Sequence, residues 1–85
     1  MSKTSTFADL TDRYRRASRP ADELPLPLAV VAARLGISRQ HLFNLTTGRF
    51  GASDELEEKI AAVYGLSLTT VHRALVASKL IGGRR

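Results

Sequence analysis

Apolar residues along the chain recur at helical spacing, and no alternating strand pattern of useful length interrupts them. In TFADLTDRYRRAS, Phe7, Leu10 and Tyr14 share one helical face and Ser5 or Thr6 stands ready as a cap. This predicts a first helix that stops near Ser18. Pro20, Pro25 and Pro27 in RPADELPLPL lack a backbone N–H and fix φ, so this stretch reads as an extended connection, with Pro27 suited to the first turn of a second helix. That helix is expected from about Leu28 to Leu35, ended by Gly36. Ser38 then caps a third helix, about Arg39 to Thr47, closed by Gly48. In SDELEEKIAAVYG, Asp54 and Glu57 have capping-box spacing and four acids crowd the first turns, as the helix macrodipole prefers. Gly65 ends this fourth helix, Ser67 caps a fifth that runs to about Lys79, and IGGRR is expected to fray. The expected fold is all-α, a five-helix bundle in a single domain spanning residues 1–85.

Two stretches carry the same punctuation twenty-nine residues apart, RLGISRQHLFNLTTGR and VYGLSLTTVHRAL. A helix-turn-helix needs small or apolar residues where its helices touch, a glycine in the turn and a polar outer face on the second helix. Residues 28–47 meet each requirement. Val31, Ala32 and Leu35 face inward, Gly36 turns, Ile37 plugs the turn, and Leu42 and Leu45 face inward again. The outward set is Ser38, Arg39, Gln40, Phe43, Asn44 and Thr47. Arg suits guanine, Gln or Asn suits adenine, and Thr or Phe suits the thymine methyl, so these are the candidate base-reading residues. Phe43 has the alternative of packing against the following loop. The second stretch passes the apolar test through Ile60, Ala61, Tyr64, Leu66, Val71 and Ala74, but Leu68, His72, Val76 and Leu80 form an i, i+4, i+8, i+12 stripe on its outer side. A second apolar stripe on a helix that already packs inward predicts a neighbouring helix. Residues 54–79 are therefore the expected dimerisation region.

Thirteen Lys and Arg against eight Asp and Glu give a formal charge of +5, which favours a polyanionic partner. Arg49 at the end of helix three is placed for a phosphate, with Thr46 and Ser53 able to join it, and Arg15 and Arg16 belong to a basic cluster at the end of helix one that reads either as a phosphate-contacting patch or as a solvated face. The chain has no cysteine, so neither a disulfide framework nor a thiolate metal site supports it. His41 and His72 stand without a second ligand at metal spacing, and no metal or cofactor is expected. No apolar run approaches the ~18 residues of a membrane span and no secretory pattern opens the chain. A cytoplasmic protein that makes no membrane contact is the expectation.

The run from Leu28 to about Leu75 resembles the phage Cro and repressor helix-turn-helix family, often called the XRE type. The resemblance rests on ARLGISRQHLFNLTTGRFGASDELEEKIAAVYGLS, which follows the family's order and spacing, with Thr47 where Asn is commoner. It covers somewhat over half the chain. It implies five helices, double-stranded DNA held in the major groove, a homodimer on a palindromic operator, and transcriptional repression by excluding polymerase. The self-contained basic format is also similar to that of small plasmid-encoded repressors. The longer Pro-rich linker departs from the pattern, as does DELEE, which places acids where family members often approach a phosphate.

Two other readings compete. An all-α protein-interaction or antitoxin-like module would use the same helices on a protein surface and would not read DNA sequence. Alternatively the second stretch reads DNA, since LTTVHRAL resembles the recognition helix of the LacI family. An enzyme is not expected: no nucleophile set, phosphate loop or paired carboxylates can be assembled without residues that the helix turns already need. No small-molecule ligand is evident either, so control by the protein's own concentration is the simpler expectation.

Overall fold

The computed structural model describes residues 5–19, 23–49 and 51–82, which form five helices and no strand. These are α1 (Phe7–Ala17), α2 (Leu28–Leu35), α3 (Arg39–Thr46), α4 (Asp54–Tyr64) and α5 (Leu68–Gly82). The all-α expectation holds. Among the described residues no single helix is long and apolar enough to cross a membrane.

Local chemistry sets the helix ends. Thr6 and Asp9 form a reciprocal capping box on α1: the Asp9 N–H donates to the Thr6 hydroxyl and the Thr6 N–H to the Asp9 carboxylate. On α4 the capping residue is Ser53, whose hydroxyl accepts the Leu56 N–H at 3.2 Å; the Asp54–Glu57 box is corrected accordingly. Asp54 is already helical, so its backbone position is wrong for a cap. Pro27 precedes α2 as its cap rather than joining the first turn, its carbonyl accepting from Val30 and Val31. Helix α5 continues past Lys79 to Gly82, while Arg84 and Arg85 lie outside the described residues, as does Pro20. The linker is anchored where sequence gave no signal. The Leu26 N–H donates to the Arg15 carbonyl, Arg15 Nε returns a hydrogen bond to the Leu26 carbonyl, and the Leu26 side chain is buried.

The core collects one face from every helix: Phe7 and Leu10, Val31 and Leu35, Leu42 and Leu45, Ile60, and Val71 with Ala74. Full burial of each large aliphatic or aromatic side chain here is worth ~1.5–3 kcal/mol. Helix α5 packs on α1, α3 and α4, and α2 packs on α3 and α4. Tyr64 joins the helices through its ring and its hydroxyl. The ring stacks on Phe7 and Tyr14, with centroids 5.9 and 4.6 Å apart, and the hydroxyl hydrogen-bonds Thr11 at 2.9 Å. Burial pushes the Tyr64 phenol up to about 12, the Thr11 hydrogen bond offsetting a part of that rise. Among the described residues no buried side-chain nitrogen or oxygen lacks a hydrogen-bond partner.

One turn of α5 holds two other elements in place. Ser78 Oγ accepts the Phe7 N–H at 2.8 Å, satisfying a donor at the start of α1. The Ser78 carbonyl faces Gly48, which has φ +79 at the end of α3. A Cβ on Gly48 would stand 2.1 Å from that oxygen and 2.7 Å from its carbon. Thus α3 leaves its last turn directly against the α5 backbone, and only glycine allows it.

Candidate nucleic-acid interface

The connection from α2 to α3 is three residues long, and its geometry follows from Gly36 and Ser38. Gly36 adopts φ 72, ψ 27, which turns the chain sharply and lets the Ile37 N–H reach back to the Ala32 carbonyl at 3.0 Å. Ser38 then accepts the His41 N–H at 3.0 Å and starts α3. Ile37 packs against the core, and Leu42 and Leu45 are fully buried. The remaining side of α3 faces outward.

That side carries Ser38, Arg39, Gln40, Phe43 and Thr47 in exposed positions, with Asn44 half-buried among them. By helix spacing Arg39, Gln40, Phe43, Asn44 and Thr47 share the side of α3 away from Leu42 and Leu45, while Ser38 is the exposed N-cap. These positions include no acidic residue. Gln40 Nε2 donates to Asn44 Oδ1 at 3.2 Å, coupling two amides one turn apart. Thr47 Oγ1 donates to the Asn44 carbonyl. Phe43 is 48% exposed and, with Arg39 and Gln40, lines a shallow groove of about 220 Å³.

Of the five phosphate candidates, Thr46 and Arg15 line one cleft, and Arg49, Ser53 and Arg16 lie outside its lining. Arg49 is exposed just beyond α3, its N–H tied to the Asn44 carbonyl at 2.9 Å. Ser53 uses its hydroxyl to cap α4. Thr46 donates to the Phe43 carbonyl at 2.7 Å and lines a cleft of about 290 Å³ with Asp9, Asp12 and Arg15, an acidic neighbourhood for a phosphate. Arg15 and Arg16 both reach Asp12, at 3.8 and 3.4 Å, so that part of the basic cluster on α1 is locally neutralised. Sequence reasoning also passed over Lys59. Its ammonium lies 3.1 Å from where a Gly36 Cβ would stand, over the end of α2, where the helix dipole favours a cation.

The second stretch reproduces the first turn closely. Gly65 has φ 69, ψ 35, the Leu66 N–H returns to the Ala61 carbonyl at 3.0 Å, and Ser67 accepts the Thr70 N–H at 3.1 Å. Across it α4 and α5 bend by 114°. The outer side of α5 differs from that of α3. Leu68, Val76 and Leu80 are 47, 44 and 67% exposed, while Val71, Ala74, Leu75 and Ser78 are buried. His72 lies within the stripe, but its Nδ1 meets the buried Glu57 carboxylate at 3.1 Å, an α4–α5 link that holds the imidazole against its own chain. Among the described residues no three His, Asp or Glu stand together as a metal site. Compared with known proteins, the chain matches no family model, no curated protein and no solved structure.

Proposed function

We propose that the protein is a sequence-specific double-stranded DNA-binding regulator, a repressor acting as a homodimer on a pseudo-palindromic operator. Residues 28–47 serve as its helix-turn-helix and α3 as its reading helix. The observation that carries this reading is the outer side of α3, where Arg39, Gln40, Phe43, Asn44 and Thr47 stand on a short helix anchored by the buried Leu42 and Leu45. The Gln40–Asn44 hydrogen bond adds to it. With Gln40 Nε2 given to Asn44 Oδ1, Gln40 Oε1 remains to accept and Asn44 Nδ2 to donate, the complement of the N6 donor and N7 acceptor of adenine. The net charge of +5 supplies salt-dependent attraction to the phosphates. Two copies, joined through Leu68, Val76 and Leu80, set their α3 helices about 34 Å apart in successive major grooves. Repression follows where such an operator overlaps a promoter.

The identity of the Gly36 and Gly65 turns favours one second reading, in which α5 enters the groove. Against it, Val76 and Leu80 on the outer side of α5 would sit poorly in a wet, polar groove. Substitution separates the two. Gln40→Ala or Asn44→Ala is expected to cost ~1–3 kcal/mol at one operator position and to relax selectivity there, measured by competition gel shift against singly mutated sites. Arg73→Ala is expected to leave selectivity unchanged. Loss of selectivity in Arg73→Ala alone moves the reading helix to α5, and equal weakening of the α3 variants on every sequence removes base reading altogether.

A further inference from the structure

Gly48 and Gly51, in the loop after α3, both come close to Lys79 on α5, and at Gly48 the backbones approach too tightly for any side chain. A Cβ at Gly48 would stand 3.1 Å from Lys79 Cα, and one at Gly51 3.8 Å from Lys79 Nζ. The Lys79 ammonium is thereby carried over the same loop that presents Arg49. Both residues are exposed, and neither joins the ion pairs found among the described residues. Three other arginines are engaged within the fold: Arg15 and Arg16 with Asp12, and Arg34 with the Tyr14 hydroxyl at 2.8 Å. An ammonium with three donors and a guanidinium with five thus share one short loop at the end of α3.

We propose that Lys79 is a second phosphodiester contact for duplex DNA, acting beside Arg49 at the end of α3. The proposal rests on the reading of α3 as the DNA-contacting helix and extends the interface to α5, which local sequence gives no reason to include. Its chemistry is that of backbone positioning, so it contributes affinity and salt dependence but no base preference. Attraction to the α3 dipole alone would also draw the ammonium here, and that rival predicts an effect on stability without one on binding.

The test compares wild type, Lys79→Gln and Lys79→Arg on a random-sequence duplex of about three helical turns, with affinity measured across a salt series and thermal melting alongside. For Lys79→Gln the slope of log K against log salt is expected to become shallower by about 0.9 per bound chain, with affinity at ~0.1 M salt roughly eightfold weaker. Lys79→Arg is expected to keep the wild-type slope. An unchanged slope in Lys79→Gln overturns the proposal, whether or not its melting temperature falls. Absence of salt-dependent duplex binding by wild type is a separate result, and it defeats the DNA-binding reading itself.

Discussion

Gly48→Ala is expected to destabilise the protein by ~3–5 kcal/mol and to lower its Tm by at least ~12 °C in a chain of this size. Two costs combine. Gly48 has φ +79, where an L-residue is strained by ~1–2 kcal/mol, and its Cβ would fall 2.1 Å from the Ser78 carbonyl oxygen, a backbone atom that no rotamer change can move. Relief requires α5 to retreat, which also pulls Ser78 from the Phe7 N–H it accepts. A chain of 85 residues has roughly 4–13 kcal/mol of stability in all, so this single methyl consumes a large share of it. Gly65→Ala supplies the control. Its φ is +69, but nothing lies within 4 Å of the added carbon, so only the ~1–2 kcal/mol of backbone strain applies. Equal melting temperatures for the two variants would show that α5 does not close on the end of α3.

Replacing Leu68 and Val76 together by glutamate is expected to give a folded monomer whose affinity for a two-half-site DNA falls by roughly 10²–10⁴. Both side chains are about half exposed and neither belongs to the buried core, so their loss removes little from it and the variant should melt within about 1 kcal/mol of wild type. Scattered exposed leucines mean little, but Leu68, Val76 and Leu80 recur along one helix with only His72 interrupting their i, i+4 row. In the proposed dimer, the second α3 binds with the high effective concentration that linkage provides, and the charged variant forfeits it. A variant that light scattering still finds dimeric places the self-association surface elsewhere. His72 is left out of this substitution because its ring is bound to Glu57, and changing it would disturb the α4–α5 packing as well.

The helices were legible because their determinants are local. Phe7 and Leu10, Val31 and Leu35, or Leu42 and Leu45 reveal a face within one turn, and Gly36, Ser38, Gly65 and Ser67 mark boundaries by the conformations they permit. Errors fell at ends, as at Ser53, where a serine and the adjacent aspartate are both good caps and only the backbone decides. The grouping of Arg39, Gln40, Phe43, Asn44 and Thr47 on one side of α3 was readable for the same reason, since a helix fixes which residues share a face, with Ser38 set apart as its N-cap. What could not be read depends on contacts between distant elements. Thr11 meets Tyr64 across 53 positions and Ser78 meets the Phe7 N–H across 71, and neither residue type announces such a partner. Among the phosphate candidates Thr46 shows the same limit, since Asp9 and Asp12 line its cleft from α1, whereas the pairing of Arg15 and Arg16 with Asp12 follows i, i+3 and i, i+4 spacing within one helix. Lys79 is the converse, brought to the loop that carries Arg49 by a close backbone approach that only Gly48 allows.

The central claim is that α3 reads base sequence as one of a symmetric pair, and selection of bound duplex from a random pool tests it most directly. The account predicts an enriched pseudo-palindrome whose half-sites lie about one helical turn apart, near 34 Å, and whose enrichment collapses with Gln40→Ala or Asn44→Ala. A pool that emerges without a shared sequence, or with one that the α3 variants select equally well, would contradict it.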